Sequence, residues 1–381
     1  MSDYDPNQLP FNALFEWLNS FKYINISDNV VGVLAVVLGT FLLGTYILVN
    51  QLIAPWVERK VMARMQGRRG PVYVGKWGVL QIPADLIKLL LKEDTRPIGA
   101  DRVGFFLAIL LTAVTSILAF APLPWGTNQL VPGNFSIGIL YIFAVFSIFP
   151  PAMMIGGWAS NSKYSLIGGF RSAGQLVAYE IPMFFSILGV VVVTGSFSLI
   201  SITEYQYANG WNLIQHETAF MGLVLGFIFF ISSVAETERV PFDIPEAEAE
   251  LVMGPRTEFA SWRYALLMMT EYLHLFINSL LFIYLFLGGY NPIPWAIDES
   301  SALWNFATHP FVQFLTLTIK VYLLVVIAGW MRAALARLRI DQLLNLGWKY
   351  FLPVSLFALM ILLGLTIMNG EINPNEALPL E

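Results

Sequence analysis

The stretch Ser172–Gly195, SAGQLVAYEIPMFFSILGVVVVTG, decides the fold. Its twenty-four residues include one carboxylate, Glu180, and no Lys, Arg or His. A helix rises about 1.5 Å per residue, so this run is long enough to cross the roughly 30 Å hydrocarbon core of a bilayer. Seven other stretches read the same way: Val30–Ala54, Val103–Pro122, Phe135–Trp158, Ala219–Ala235, Tyr264–Leu287, Phe311–Met331 and Tyr350–Met368. Five of the eight contain no ionisable acid or base. The expected fold is therefore an all-α polytopic membrane protein with eight transmembrane helices.

The composition agrees. Of 381 residues, 57% are apolar and 12% charged, against about 25% charged in soluble domains. Mean hydropathy is +0.66. Cysteine is absent, which excludes disulfides, thiolate metal sites and iron–sulfur ligation by this chain. Three histidines are too few for a multi-histidine metal or haem site. No repeat, heptad run or low-complexity tract divides the chain, so residues 1–381 read as one membrane domain. The polar, acidic segment 1–29 does not read as a signal peptide.

Orientation follows from Lys and Arg. The segments 1–29, 123–134, 196–218, 288–310 and 369–381 together hold one base and eleven acids, whereas 55–102, 159–171, 236–263 and 332–349 hold nineteen bases and thirteen acids. The second set is expected to be cytoplasmic, with both termini, including the tail 369–381, exterior. Within 55–102, Pro83 suits a first helical turn. Leu86, Ile87, Leu89, Leu90 and Leu91 make one broad apolar face, and Asp85, Lys88 and Lys92 another. That pattern predicts an amphipathic helix in the membrane interface, with a cytosolic helix packed on a partner subunit as the alternative.

Three ionisable residues fall inside spans: Glu180, Glu271 and Lys320. Such groups are costly in a membrane and mark ion or proton routes. The competing reading is a structural ion pair between Lys320 and one of the glutamates. His274, one turn after Glu271, fits either a relay or a packed, hydrogen-bonded histidine. The loop AETERVPFDIPEAEAELVMGPRTEF, Ala235–Phe259, adds Glu236, Glu238, Asp243, Glu246, Glu248, Glu250 and Glu258. Its apolar members, among them Val240, Phe242 and Leu251, imply that it folds back on protein. The stretch VERKVMARMQGRRGPVYVG, Val57–Gly75, reads either as positive-inside anchoring or as a basic lining for a cavity mouth.

Four motifs carry a family resemblance. The first holds Glu58-Arg59-Lys60, Gln66, Arg68, Gly70-Pro71, Leu80-Gln81, Ala84-Asp85, Lys88-Leu89, Lys92-Glu93 and Ala100-Asp101. The second, Gly156–Glu180, holds GGWASNSKY, Arg171, Gln175 and Tyr179-Glu180. The third is the acidic loop. The fourth is RLRIDQLLNLGWK, Arg337–Lys349. Together they resemble the membrane subunit of respiratory complex I known as subunit 1. The chain departs from the family pattern at Val72-Tyr73, where the family carries an Arg, at Glu238 and at Ile340.

The resemblance implies a heel subunit of the membrane arm that borders a quinone cavity and couples quinone reduction to proton translocation. It places Arg59, Gln66, Arg68 and Asp243 at the cavity. It places Glu180, Glu236, Glu246, Glu248, Glu250, Glu258 and Glu271 on the proton path, to which Lys320 is added as the third intramembrane charge. Arg337, Arg339 and Asp341 would form structural ion pairs. No catalytic residue, metal or cofactor is expected on this chain. Quinone is the implied substrate, and iron–sulfur clusters reside in neighbouring subunits. The partners implied are peripheral-arm quinone-site subunits, antiporter-like membrane subunits and lipid, in an energy-transducing membrane: a prokaryotic plasma membrane, or a thylakoid or inner organelle equivalent. The alternatives are the corresponding subunit of an energy-converting hydrogenase and a stand-alone proton-coupled transporter, although the chain lacks the internal repeat that transporters often show.

Overall fold

The computed structural model describes residues 28–126, 130–215, 219–295 and 307–368, together with Leu14 and Glu16. The expected exterior tail lies outside the described residues, as does nearly all of the expected N-terminal segment. Among the described residues the elements are helical. They are α1 (Asp28–Met65), α2 (Gln81–Leu91), α3 (Arg102–Leu118), α4 (Gly138–Phe146), α5 (Phe149–Ala159), α6 (Lys163–Thr194), α7 (Leu199–Asn209), α8 (Ala219–Glu236), α9 (Glu248–Leu251), α10 (Ser261–Phe286), α11 (Pro310–Ala334), α12 (Ile340–Asn345) and α13 (Leu352–Met368).

Among the described residues six helical stretches are long and apolar enough to cross a membrane: Val31–Met65, Gly138–Ala159, Lys163–Thr194, Ser261–Phe286, Pro310–Ala334 and Ile340–Met368. Arg102–Leu118 and Phe220–Glu236 are apolar but shorter. α10 is the axis of the bundle, with 72% of its apolar window buried, against 17% for α1. Its buried face, including Leu273, Phe276, Ile277, Leu280 and Ile283, joins one large core with Phe120, Ile142, Met183, Phe229 and Val321. The outer faces of α1 and α13 leave Val37, Phe41, Phe357 and Met360 exposed, as lipid-facing helices do.

Four boundaries differ from the sequence expectation. α1 does not stop at Ala54 but continues through Pro55 to Met65, carrying Glu58 and Arg59 on helix rather than loop. The expected third span is two helices, α4 and α5, parted at Ser147-Ile148 just before Pro150-Pro151, where two prolines remove amide donors. α6 begins at Lys163, nine residues before Ser172. The segment 196–218, expected to be loop, contains α7. The amphipathic helix is present as α2. It leaves Ile87, Leu90 and Leu91 exposed and turns Asp85 inward to Arg59 at 2.7 Å.

Two glycines let the acidic loop seat against the bundle. A Cβ on Gly168 of α6 would lie 2.6 Å from Gly254 Cα, and one on Gly254, at φ +52°, would lie 1.8 Å from the Pro245 carbonyl oxygen. Only glycine permits that approach and that backbone region without strain. The tight turn Gly254–Arg256 thus lies directly on α6 and aims Arg256 into the protein.

Candidate functional site: a buried carboxylate–guanidinium network

Glu58 is buried near the end of α1. Arg239 Nη1 donates to its Oε2 at 2.5 Å, and Arg332 Nη1, from the end of α11, donates to its Oε1 at 2.7 Å. The Arg239 guanidinium lies 4.5 Å over the Tyr272 ring, and its Nε is 3.4 Å from Glu271. Glu271 also accepts from Arg256 Nη1 at 3.0 Å. Arg256 reaches Glu246 at 2.5 Å and Glu238 at 3.5 Å. Glu238 accepts in turn from the Ser172 hydroxyl on α6. One connected network therefore runs from α1 and α11, through the loop after α8, to α10.

Among the described residues its charge is unbalanced. Four carboxyl groups, on Glu58, Glu238, Glu246 and Glu271, face three guanidinium groups, on Arg239, Arg256 and Arg332. An uncompensated charge out of water is expensive, so the network favours one bound proton. Glu246 is placed to hold it. Burial raises its pKa to about 7, with Arg256 opposing the shift and Glu271, Glu238 and Asp243 adding to it. Its side chain is 29% exposed, which gives the proton a way in and out. Burial also raises Glu238, against the pull of Arg256. Burial works against the charge on Arg239 and Arg256, but Glu58 and Glu271 for the first, and Glu246, Glu271 and Glu238 for the second, hold both firmly protonated.

A pH dependence follows. Glu246 has an ordinary value of 4.5 and a folded value of about 7. Between those values the folded protein binds more proton than the unfolded chain, so stability falls as pH rises through that window. The thermal midpoint of the purified assembly should decline from pH 5 to pH 7.5, and Glu246→Gln should flatten that slope.

A second acid pair lies alongside. Glu236, at the end of α8, accepts from Asn278 Nδ2 of α10 at 3.0 Å, and Glu180 of α6 is the charged neighbour that acts on it. Gln175 of α6 donates to the Ala235 and Phe242 carbonyls, both at 2.8 Å, and so fixes the loop between the two acid groups. Asp243 pairs with Arg337 at 2.8 Å and Glu250 with Arg171 at 2.6 Å. Glu258 is half-buried just past Arg256. Glu248 opens α9, and its side chain lies outside the described residues.

The remaining candidates sit elsewhere. Arg59 is spent on Asp85, and Gln66 accepts from Arg68 Nε at 2.8 Å in the exposed segment after α1. Arg339 and Asp341 are 3.8 Å apart with side chains 77% and 62% exposed. An exposed pair of this kind contributes at most about 1 kcal/mol, so Arg339→Ala should leave the thermal midpoint within a degree or two of the parent. Among the described residues Lys320 does not meet a glutamate. Its Nζ donates to the carbonyls of Leu287, Gly289 and Asn291 at 2.6, 2.9 and 2.6 Å. His274 is packed between Phe146 and Phe149, with Nε2 2.8 Å from the Ser116 hydroxyl.

Sequence reading passed over the network's cations. Arg239, Arg256 and Arg332 were not singled out, and Glu58 entered only as part of a motif. The available signal was local: a loop with seven acids carries two arginines, Arg239 and Arg256, at its buried turns, and an acidic loop that folds back on protein needs internal cations.

Two comparisons bear on the chain. Residues 38–363 match the NADH dehydrogenase family model. The chain is 43% identical over 305 residues to the H subunit of NADH-quinone oxidoreductase from Geobacillus sp. (strain WCH70), a match covering 80% of this chain and 86% of that relative.

Proposed function

Because the chain belongs to the NADH dehydrogenase family and is a membrane subunit of the NADH-quinone oxidoreductase type, we propose that it borders the quinone site of that complex and converts quinone chemistry into proton movement. The observation that carries this reading is the buried network with one carboxylate more than it has cations. A negative charge arriving near Glu246 raises the proton affinity of the carboxyl groups around it. Reduction of a quinone at the adjoining face supplies such a charge. The network answers by shifting Glu246 from partial to full protonation, and re-pairing of Arg256 and Arg239 carries the change to Glu271 and Glu58. The second pair, Glu180 and Glu236, lies next to the Gln175 anchor and continues the path into the bundle.

The quinone site is shared with other chains. Arg59, Gln66 and Arg68 lie on open surface at the foot of α1, and Asp243 is turned toward Arg337. The cavity beside Arg256, lined by Thr112, Met153, Pro255 and Phe259, has a free volume of only about 10 Å³, far below ordinary ligand pockets. Walls from peripheral-arm subunits complete the site, and those subunits hold the iron–sulfur donors. This chain contributes position and protons, not a redox centre.

We read the membrane topology as eight crossings, the six long stretches together with Arg102–Leu118 and Phe220–Glu236. The Lys/Arg-rich segments face the cytoplasm, both termini face outward, and α2 lies in the interface.

The test is Glu246→Gln in the intact complex. Gln cannot exchange a proton, so the ratio of protons pumped to electrons transferred should fall, with assembly unchanged. Wild-type electron transfer together with a wild-type pumping ratio overturns the role given to Glu246.

A further inference from the structure

Lys320 is the one intramembrane charge that the acid network does not absorb. It projects from α11 to the end of α10, opposite the end that starts at Ser261. Its three ammonium hydrogens match three acceptors: the carbonyls of Leu287, Gly289 and Asn291, at 2.6, 2.9 and 2.6 Å. A fourth side is closed by the Trp211 ring, whose centroid is 4.3 Å from Nζ. Gly288 at φ +71° and Gly289 at φ +56° turn the chain so that these carbonyls converge. The same turn accepts no larger residue, since a Cβ on Gly288 would lie 2.3 Å from Trp211.

Three convergent carbonyls and an aromatic face are the chemistry of a cation site. We propose that this turn is a binding cage for a small primary ammonium ion, and that Lys320 is the tethered ion which occupies it. The cage joins α11, the end of α10 and the segment after α7 through one charge. A carbonyl accepts a hydrogen bond but offers no proton in return, so the ammonium anchors the end of α10 rather than handing protons on. Without the ion the carbonyls face one another unsatisfied at the end of the helix that carries Glu271. This inference stands independently of the quinone and proton reading.

The test is chemical rescue in the intact, purified complex. Lys320→Ala removes the equivalent of propylammonium from the cage. The thermal midpoint should fall by several degrees, on the scale expected when buried polar groups lose their partner. Propylammonium at tens of millimolar should recover at least about half of that fall, as an occupant binding only the folded cage does. Tetramethylammonium, which carries charge without N–H, should not recover it, nor should 1-propanol, which fills space without charge. If Lys320→Ala fails to assemble, the same three additives are supplied during expression and assembly is read on native gels. An alanine variant as stable as the parent, equal recovery by 1-propanol, or no recovery by propylammonium each overturns the proposal.

Discussion

Arg256→Met should produce one of the two largest losses in this protein. Arg256 is buried and serves Glu238, Glu246 and Glu271 together. Methionine keeps much of the volume but takes the cation from Glu238 and Glu246 and leaves Glu271 with Arg239 alone. Removing one partner of a buried pair costs about 3–5 kcal/mol, comparable with the whole net stability of many domains. The expected result is little assembled complex on a native gel and a strongly lowered midpoint for what assembles. The informative companion is Arg256→Met combined with Glu246→Gln. Removing one negative charge at the same place should restore part of the loss, with a coupling of about 0.5–3 kcal/mol, as groups in direct contact show. Strict additivity of the two changes would mean that Glu246 and Arg256 do not interact as their 2.5 Å contact requires.

Glu58→Ala should match it in size by the opposite sign of charge. Glu58 is the shared anion of Arg239 and Arg332. Without it the two guanidinium groups are left facing each other, with Glu271, 3.4 Å from Arg239 Nε, and the more distant Asp243 near Arg332 as partial compensation. A loss of about 3 kcal/mol or more in stability follows from the same buried-pair argument. A second effect should appear per assembled complex. Arg239 is the link between Glu58 and Glu271, so its displacement should lower quinone reductase turnover by about tenfold, the effect of roughly 1.4 kcal/mol on a barrier. Turnover normalised to assembled complex separates the two effects. Unchanged turnover and an unchanged midpoint would remove Glu58 from the network.

Both predictions concern residues whose importance the sequence showed only dimly. Six long apolar helices were legible because transfer of apolar side chains into lipid is a local, nearly additive quantity. Ser172–Gly195 declares itself without reference to any other segment. The acids were legible for a related reason: Glu180 and Glu271 stand out against apolar neighbours. α2 could be read from its faces, because amphipathic period is also local. The division of the third expected span could in principle be read from Pro150-Pro151. The continuation of α1 past Pro55 could not, because what steadies that last stretch is Glu58 meeting Arg239 and Arg332.

Lys320 shows the limit from the other side. Its charge within an apolar run is plain in the sequence, and a pairing with a glutamate was a reasonable expectation. The acceptors prove to be backbone carbonyls, presented by a turn whose shape depends on two glycines at positive φ. A carbonyl acceptor belongs to every residue and leaves no mark on composition, so no pattern of side chains could have announced it.

The sequence by itself determined a helical membrane protein, the places of its apolar segments, the uneven distribution of its bases, and the presence of acids where acids are costly. Tertiary structure alone decided which charges meet. Glu58 lies 181 positions from Arg239 and 274 from Arg332, and such pairings depend on how helices pack, not on what surrounds each residue in the chain. Hydropathy sums over neighbours in sequence, whereas the energy of a buried charge is set by its neighbours in space.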